Sequence, residues 1–322
     1  MAALRQSRHG NGVTSGAMRC LSDLDLVARL RGGGIVERVL VDEYYRRCVP
    51  IYLDFLGVHW HTGWYESGPD RPSPRDQERM IERVVSAAGL EPGMRVLDVG
   101  CGMGGTAAWL ARHCQVDVVG LTPVPEQKAL AEYWLSSQKL SPMPRIVLGH
   151  AEALPFNTAS FDAIVFFESL CHVQDRSRFM HEAARVLRPG GRLAGEDWLR
   201  IGPREAYVDQ PGNEALIERV ERLWAIPALG NAEHYLALMH EAGFEQAVCH
   251  DLRSESALHK GFAVTPEQQA DLDEQIRQCD NSLLALVLDG LKALGAAASA
   301  GCFTIGRFQA VSRGSRESAT ML

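Results

Sequence analysis

The stretch Met94-Arg-Val-Leu-Asp-Val-Gly-Cys-Gly-Met-Gly-Gly-Thr106 constrains this chain more than any other. An apolar run with β-branched residues ends at Val99. Three glycines follow at alternate positions, Gly100, Gly102 and Gly104, and then a helical pattern over 106–114. Strand, tight turn and helix form the opening unit of a nucleotide-binding α/β domain. Glycine lets the backbone turn at positive φ and lets a ligand approach with no Cβ in the way. The pattern then repeats. Strands are expected at 95–99, 117–121, 145–149, 161–167 and 192–197, with helices at 125–138 and 176–187, the latter stopped by Pro189-Gly-Gly191. The 161–167 run is nearly all apolar, as expected of a strand buried on both faces. Alternating strands and helices imply a parallel, doubly wound sheet.

Asp98 narrows the ligand. A dinucleotide places its pyrophosphate on the helix N-terminus, and a carboxylate in the turn would repel it. A dinucleotide fold also expects an acidic residue closing strand two. Here that strand closes with Gly120-Leu-Thr122-Pro-Val-Pro-Glu-Gln127. Asp98 suits a cofactor that carries an ammonium and a sulfonium, namely S-adenosylmethionine. A tight turn without a ligand is the bland alternative.

The net charge of −7 and the lack of a Lys/Arg cluster argue against a nucleic-acid partner. Eight scattered Cys without C-x-x-C pairs suggest neither a zinc site nor a disulfide framework. No apolar stretch reaches the roughly 18 residues of a membrane span, and no apolar segment of signal-peptide type follows the first residues. The expectation is a cytoplasmic enzyme with no membrane span. Residues 1–20 are expected as a flexible leader, 21–80 as an N-terminal helical lid segment and 81–200 as the cofactor-binding core. Residues 201–311 complete the sheet with helical lid insertions, and 312–322 form a flexible tail. Within the lid, helices are expected at 23–30 and 35–47, broken by Gly32-Gly-Gly34, and at 77–88 after a loop at 69–74. Helices at 213–223 and 231–242, strands at 247–252 and 302–311, and a helix opening at Thr265-Pro-Glu-Gln268 are also expected. The apolar helix 282–294 reads as a lid or a homo-oligomer face.

Three motifs carry a resemblance. Asp98 to Gly104, Gly149-His-Ala-Glu-Ala-Leu-Pro-Phe156 with Ser160-Phe-Asp162, and Val186-Leu-Arg-Pro-Gly-Gly191 resemble the successive motifs of class I S-adenosylmethionine-dependent methyltransferases. They span about residues 80–200 in order. Phe167-Glu168-Ser-Leu-Cys171-His172 is similar to the E-x-x-C-H of sterol 24-C-methyltransferases. Geranyl diphosphate C-methyltransferases also keep an acidic residue at that place. Leu56-Gly-Val-His59-Trp-His61 is similar to the aromatic entry segment of the prenyl diphosphate enzymes.

The resemblance implies a Rossmann-like sheet, mostly parallel with the last strand antiparallel, under a helical lid. It implies cofactor contacts from Asp98, Gly100, Gly102, Gly104, Thr122, Gln127, His150, Ala151 and Glu152, with His61 closing over the methionine end. His150 stands where the family usually has Asp. The implied acceptor is an isoprenoid alkene methylated at carbon, a prenyl diphosphate such as geranyl or farnesyl diphosphate first. Mg²⁺ would accompany a diphosphate.

Glu168, flanked by Phe166 and Phe167, should be partly buried and raised in pKa, which makes it a usable base. A carbocation needs a π-rich, dry pocket. Tyr44, Tyr52, Phe55, Trp60 and Trp198 are the expected walls, with His172 a second base or a structural histidine. Cys171 reads as a packed small residue, and Arg46 and Arg47 as a solvated helix face ahead of a diphosphate site. O- or N-methylation of a small natural product is the rival chemistry. A non-catalytic cofactor-binding protein is the rival of another kind.

Overall fold

A computed structural model of the chain describes residues 21–65, 73–203, 211–255 and 265–313. The expected leader, most of the 69–74 loop and nearly all of the tail lie outside the described residues. Seven strands form one sheet: β1 (Arg95–Val99), β2 (Asp117–Thr122), β3 (Arg145–Leu148), β4 (Phe161–Phe167), β5 (Leu187–Arg200), β6 (Phe244–Asp251) and β7 (Phe303–Ser312). Their order is β3-β2-β1-β4-β5-β7-β6. The first five are parallel, and β7 runs antiparallel to both β5 and β6. The strand order reverses between β1 and β4, and ligands in such sheets sit outside the carboxyl ends at that point.

The helices are α1 (Asp23–Gly32), α2 (Arg38–Leu56), α3 (Pro74–Ala88), α4 (Gly105–Cys114), α5 (Pro125–Ser136), α6 (Arg176–Val186), α7 (Pro211–Leu223), α8 (Ala232–Glu241), α9 (Pro266–Gln278) and α10 (Ser282–Ser299). Ile81, Val84 and Ala88 of α3 and Ala107, Leu110 and Ala111 of α4 cover one face of the sheet. Phe179, Met180 and Ala183 of α6 and Tyr235, Leu238 and Met239 of α8 cover the other. A third apolar cluster joins α1, α2, α7 and α10 above the end of β5 and β7, through Leu30, Tyr44, Val220, Leu286 and Phe303 among others. This helical layer overhangs the carboxyl edge of the sheet.

Helix α3 and strand β6 each begin three residues earlier than expected, at Pro74 and Phe244, and three elements depart further from the sequence pattern. Helix α2 runs nine residues beyond the expected 47, through Pro50. Proline forfeits one backbone hydrogen bond, but Tyr44, Cys48 and Tyr52 at i, i+4 and i+8 keep one face buried. Strand β5 begins directly after α6: Leu187 pairs with Phe161, residues 188–191 bulge around Gly190 at φ 78°, and the ladder resumes at Arg192 opposite Ala163. Helix α10 is longer than expected, at 18 residues with a mean hydropathy of 1.5, which makes it long and apolar enough to cross a membrane. Half of it is buried, with Leu283, Leu286, Val287, Gly290, Ala293 and Leu294 turned into the protein.

Candidate active site

A cleft of about 830 Å³, counting the open solvent at its mouth, lies at the switch point, where β1, β2 and β4 end beneath α2. Its floor is the glycine turn. Gly100, Gly102 and Gly104 have φ of 78°, 50° and 78°, a region that favours glycine. Space is short as well. A Cβ on Gly100 would lie 2.4 Å from Ser169 Cβ, and one on Gly102 would meet the Trp60 ring at 3.4 Å. Ser169 is fixed by donating its hydroxyl to the Val99 carbonyl at 2.6 Å. Gly104 does not line the cleft; it caps α4.

Asp98 lies just below this floor, 2% exposed, and its Oδ2 has no partner. Burial lifts its carboxyl to about 7. An unpaired buried carboxylate beside a ligand-sized opening fits the ammonium end of the expected cofactor. At the close of β2, the Thr122 hydroxyl donates to Gln127 Oε1 at 2.7 Å. The Gln127 amide N–H groups are thereby left to the cleft, as a ribose site needs. His150, Ala151 and Glu152 line the far end. Glu152 is tied down there: its Oε1 accepts from Arg38 at 2.8 Å and from the Gln174 N–H at 3.2 Å.

The other half of the cleft is built around Glu168, at the end of β4. Its backbone is left-handed, φ 49°, and its N–H is held by the Glu196 carbonyl at 2.9 Å. The Thr62 N–H donates to Glu168 Oε1 at 2.8 Å, and the Thr62 hydroxyl donates to the same oxygen. Burial pushes the carboxyl up to about 7; Thr62 opposes this, as does the nearby Trp198 indole N–H, whose geometry falls short of a hydrogen bond. His172 Nδ1 faces the Ala225 carbonyl at 3.3 Å, so it carries the proton, and its Nε2 accepts from the Tyr45 hydroxyl at 2.6 Å. Burial lowers His172 to about 4. It is a neutral acceptor, not a cation.

The structure brings Gly100, Gly102, Thr122, Gln127, His150, Ala151, Glu152, Glu168, His172 and Trp60 together on the cleft wall. It does not bring the remaining aromatics there. Tyr44 and Tyr52 stand one layer behind, their hydroxyls 3.0 Å apart, and the Tyr52 ring backs Trp60 at 5.1 Å. Phe55 lies farther along α2, and Trp198 packs edge-on against Trp224 and Phe303. His61 does not reach the cleft; it is buried beside Phe167 and Glu196. Arg46 and Arg47 engage Glu43 and Asp23, and Cys171 is buried.

On α2, four lining residues were not among the expected site residues: Arg38, Val41, Asp42 and Tyr45. They stand at i, i+3, i+4 and i+7 on α2, one helical face. That spacing was the available signal. Thr62 offered none. Among the described residues, no group of three or more His, Cys, Asp or Glu could hold a metal ion.

Comparison with known proteins adds a methyltransferase-domain family, which matches residues 97–195. A methyltransferase of Streptomyces halstedii is 34% identical over 70% of this chain and 80% of its own length. An O-methyltransferase of Aspergillus nomiae is 30% identical over 69% of this chain and 96% of its own. A 24-methylenesterol C-methyltransferase of Oryza sativa is 33% identical over 64% of this chain and 55% of its own. Among solved structures, the geranyl diphosphate C-methyltransferase of Streptomyces coelicolor, in complex with Mg²⁺, geranyl-S-thiolodiphosphate and S-adenosyl-L-homocysteine, superposes with a TM-score of 0.66. It is 19% identical, over 85% of this chain and 97% of that one. At that identity the likeness speaks to the fold.

Proposed function

Because the chain belongs to the class I S-adenosylmethionine-dependent methyltransferases, we propose that it methylates carbon in an isoprenoid alkene and that Glu168 removes the proton. The observation that carries this reading is Glu168 itself. It is a carboxylate on the cleft wall, clamped by Thr62, with a pKa near 7 and with Tyr45, Trp60 and Phe167 around it. When bound, S-adenosylmethionine supplies an electrophilic methyl group on a sulfonium. Asp98 would hold its ammonium, Gly100 and Gly102 would admit its amino-acid end, Thr122 and Gln127 would take the ribose, and His150 to Glu152 would border the adenine.

The remaining work falls to the chain's own side chains. The lid face of α2 covers the cleft and excludes water. Tyr45 and Trp60 offer π-faces to positive charge on an alkene that has gained a methyl group. Glu168, ionised above about pH 7, takes up the departing proton and sets which carbon loses it. In-line transfer leaves most of the rate to positioning.

A neutral isoprenoid chain is placed ahead of a prenyl diphosphate. Among the described lining residues the guanidinium is that of Arg38, already paired with Glu152, while the carboxyls of Asp42, Glu152 and Glu168 line the same cleft. A diphosphate would need Mg²⁺ to offset them. O-methylation is the second reading. It is favoured by the Tyr45–His172 pair on the cleft wall, which could orient a hydroxyl, and by the several O-methyltransferases among the relatives. Incubation with methyl-labelled cofactor, a panel of prenyl diphosphates, uncharged prenylated compounds and sterols, and hydroxylated acceptors separates the readings by product mass spectrometry. The label on carbon is the expected result; label confined to oxygen overturns it.

A further inference from the structure

Behind Glu168, outside the cleft, lies a knot of buried polar groups. Glu196 on β5 has no exposed surface, and neither of its carboxyl oxygens has a partner. His61, 3% exposed, donates Nδ1–H to the Thr62 carbonyl at 2.8 Å. The same nitrogen lies 4.0 Å from Glu196 Oε1, and His61 Nε2 has no partner. The His61 ring rests on Phe167 at 5.1 Å. From α3, the Gln77 amide donates to the His61 carbonyl at 3.2 Å. Unpartnered buried polar atoms are costly and rare, so several in one place call for a role.

The connectivity supplies one. Thr62 receives His61 on its carbonyl and gives its N–H and hydroxyl to Glu168. We propose that His61 is a positioning residue for Glu168: seated between Phe167 and Glu196, it orients Thr62, and Thr62 clamps the carboxylate. The consequence for turnover rests on Glu168 being the base; the geometric assignment does not.

The groups that face Glu168 are Tyr45 from α2, Thr62 and Tyr65 from the lid segment, Cys171 and His172 from the turn after β4, and Glu196, Asp197 and Trp198 from β5. Burial raises the Glu168 pKa most, and the two Thr62 hydrogen bonds lower it. Glu196 is faced by Glu168, Asp197, Arg307 from β7 and Arg83 from α3. Burial holds it well above the usual carboxylate range, ahead of the nearby Glu168 charge and against the two arginines. It serves as the buried neighbour that anchors the His61 ring by packing, 4.0 Å from its Nδ1. Hydrogen bonds to a carboxylate stabilise its charged form, so loosening Thr62 must raise the Glu168 pKa.

The test reads that titration directly. Carboxyl-¹³C glutamate is incorporated into the full chain, and the Glu168 resonance is identified by its loss in Glu168→Gln. Thr62→Val is expected to move the midpoint up by about one pH unit. His61→Phe, which keeps the ring on Phe167, moves it in the same direction, and His61→Asn, which restores an N–H donor, reverses the shift. The Thr62→Val/His61→Phe double variant shifts no further than Thr62→Val alone. Calorimetric binding of S-adenosylhomocysteine reports that each variant is folded. If His61→Phe does not fold, Glu196→Leu removes the anchor from the other side and is read in the same way. An unmoved Glu168 titration, or shifts that add in full, overturns the proposal. Activity in Glu168→Gln would instead overturn the base assignment and leave the titration result standing.

Discussion

The two halves of the cleft are built by different means. The cofactor half is made of backbone and near neighbours in sequence. Three glycines turn within five residues, and Thr122 meets Gln127 five positions away. The acceptor half is made of side chains from distant segments. Thr62 meets Glu168 across 106 residues, and Tyr45 meets His172 across 127. The first half is preformed by local geometry. The second exists only when the helical layer is seated on the sheet, so it can vary between relatives without disturbing the first. The comparison predicts that damage to the acceptor half costs turnover, whereas damage to the cofactor half costs binding.

The largest expected effect tests the acceptor half. Glu168→Gln should lower kcat by about 10³-fold while cofactor affinity stays within a few-fold; equal losses in both would erase the contrast. The wild-type pH profile belongs with it. The base must be ionised, so kcat/KM should climb with pH and level off above about 7. A flat profile from pH 6 to 8 would remove Glu168 from the reaction.

Gly100→Ala comes next and tests the cofactor half. Its Cβ would sit 2.4 Å from Ser169 Cβ at a φ of 78°. Cofactor binding should weaken by about 100-fold, read by calorimetry. Ordinary affinity in this variant would mean that the turn is not the contact surface.

Asp98→Asn should be smaller and of two signs. Affinity falls by about tenfold as a charged contact is lost. The ligand-free protein, however, gains stability at pH 8. The folded carboxyl titrates near 7, above the ordinary 3.8. Between those values the unfolded chain gives up the proton first, so this group's contribution is full at low pH and is lost as pH rises through about 7. A lower melting temperature for Asp98→Asn at pH 8 would contradict the unpaired state of Asp98.

The smallest effect belongs to Arg38→Ala. Its side chain is 46% exposed, so the ion pair with Glu152 should be worth less than about 1 kcal/mol. A two- to threefold weaker cofactor affinity is expected, fading at high salt.

These contrasts follow what could be read from the chain. Four of the five core strands lie within a residue of their expected ends, because their apolar runs are bounded by Gly, Pro and helix signals. Glu168 was legible because it ends such a run. The aromatic segment was less so. Tyr44 and Tyr45 are adjacent in sequence, yet one lies behind the wall and the other on it, since neighbouring residues on a helix face about 100° apart. Likewise, Trp60 reaches the glycine turn while His61 turns into the interior.

The sequence by itself determined the parallel core, the glycine turn and the place of Asp98 beside it, because those depend on periodicity, on positive φ and on residues a few positions apart. Only the tertiary structure decided that Thr62 holds Glu168, that Tyr45 rather than Tyr44 faces the cleft, and that His61 packs beside Glu196 instead of lining the cleft. Those outcomes depend on how the lid helices settle on the sheet. Nothing in local spacing encodes a contact between groups a hundred residues apart.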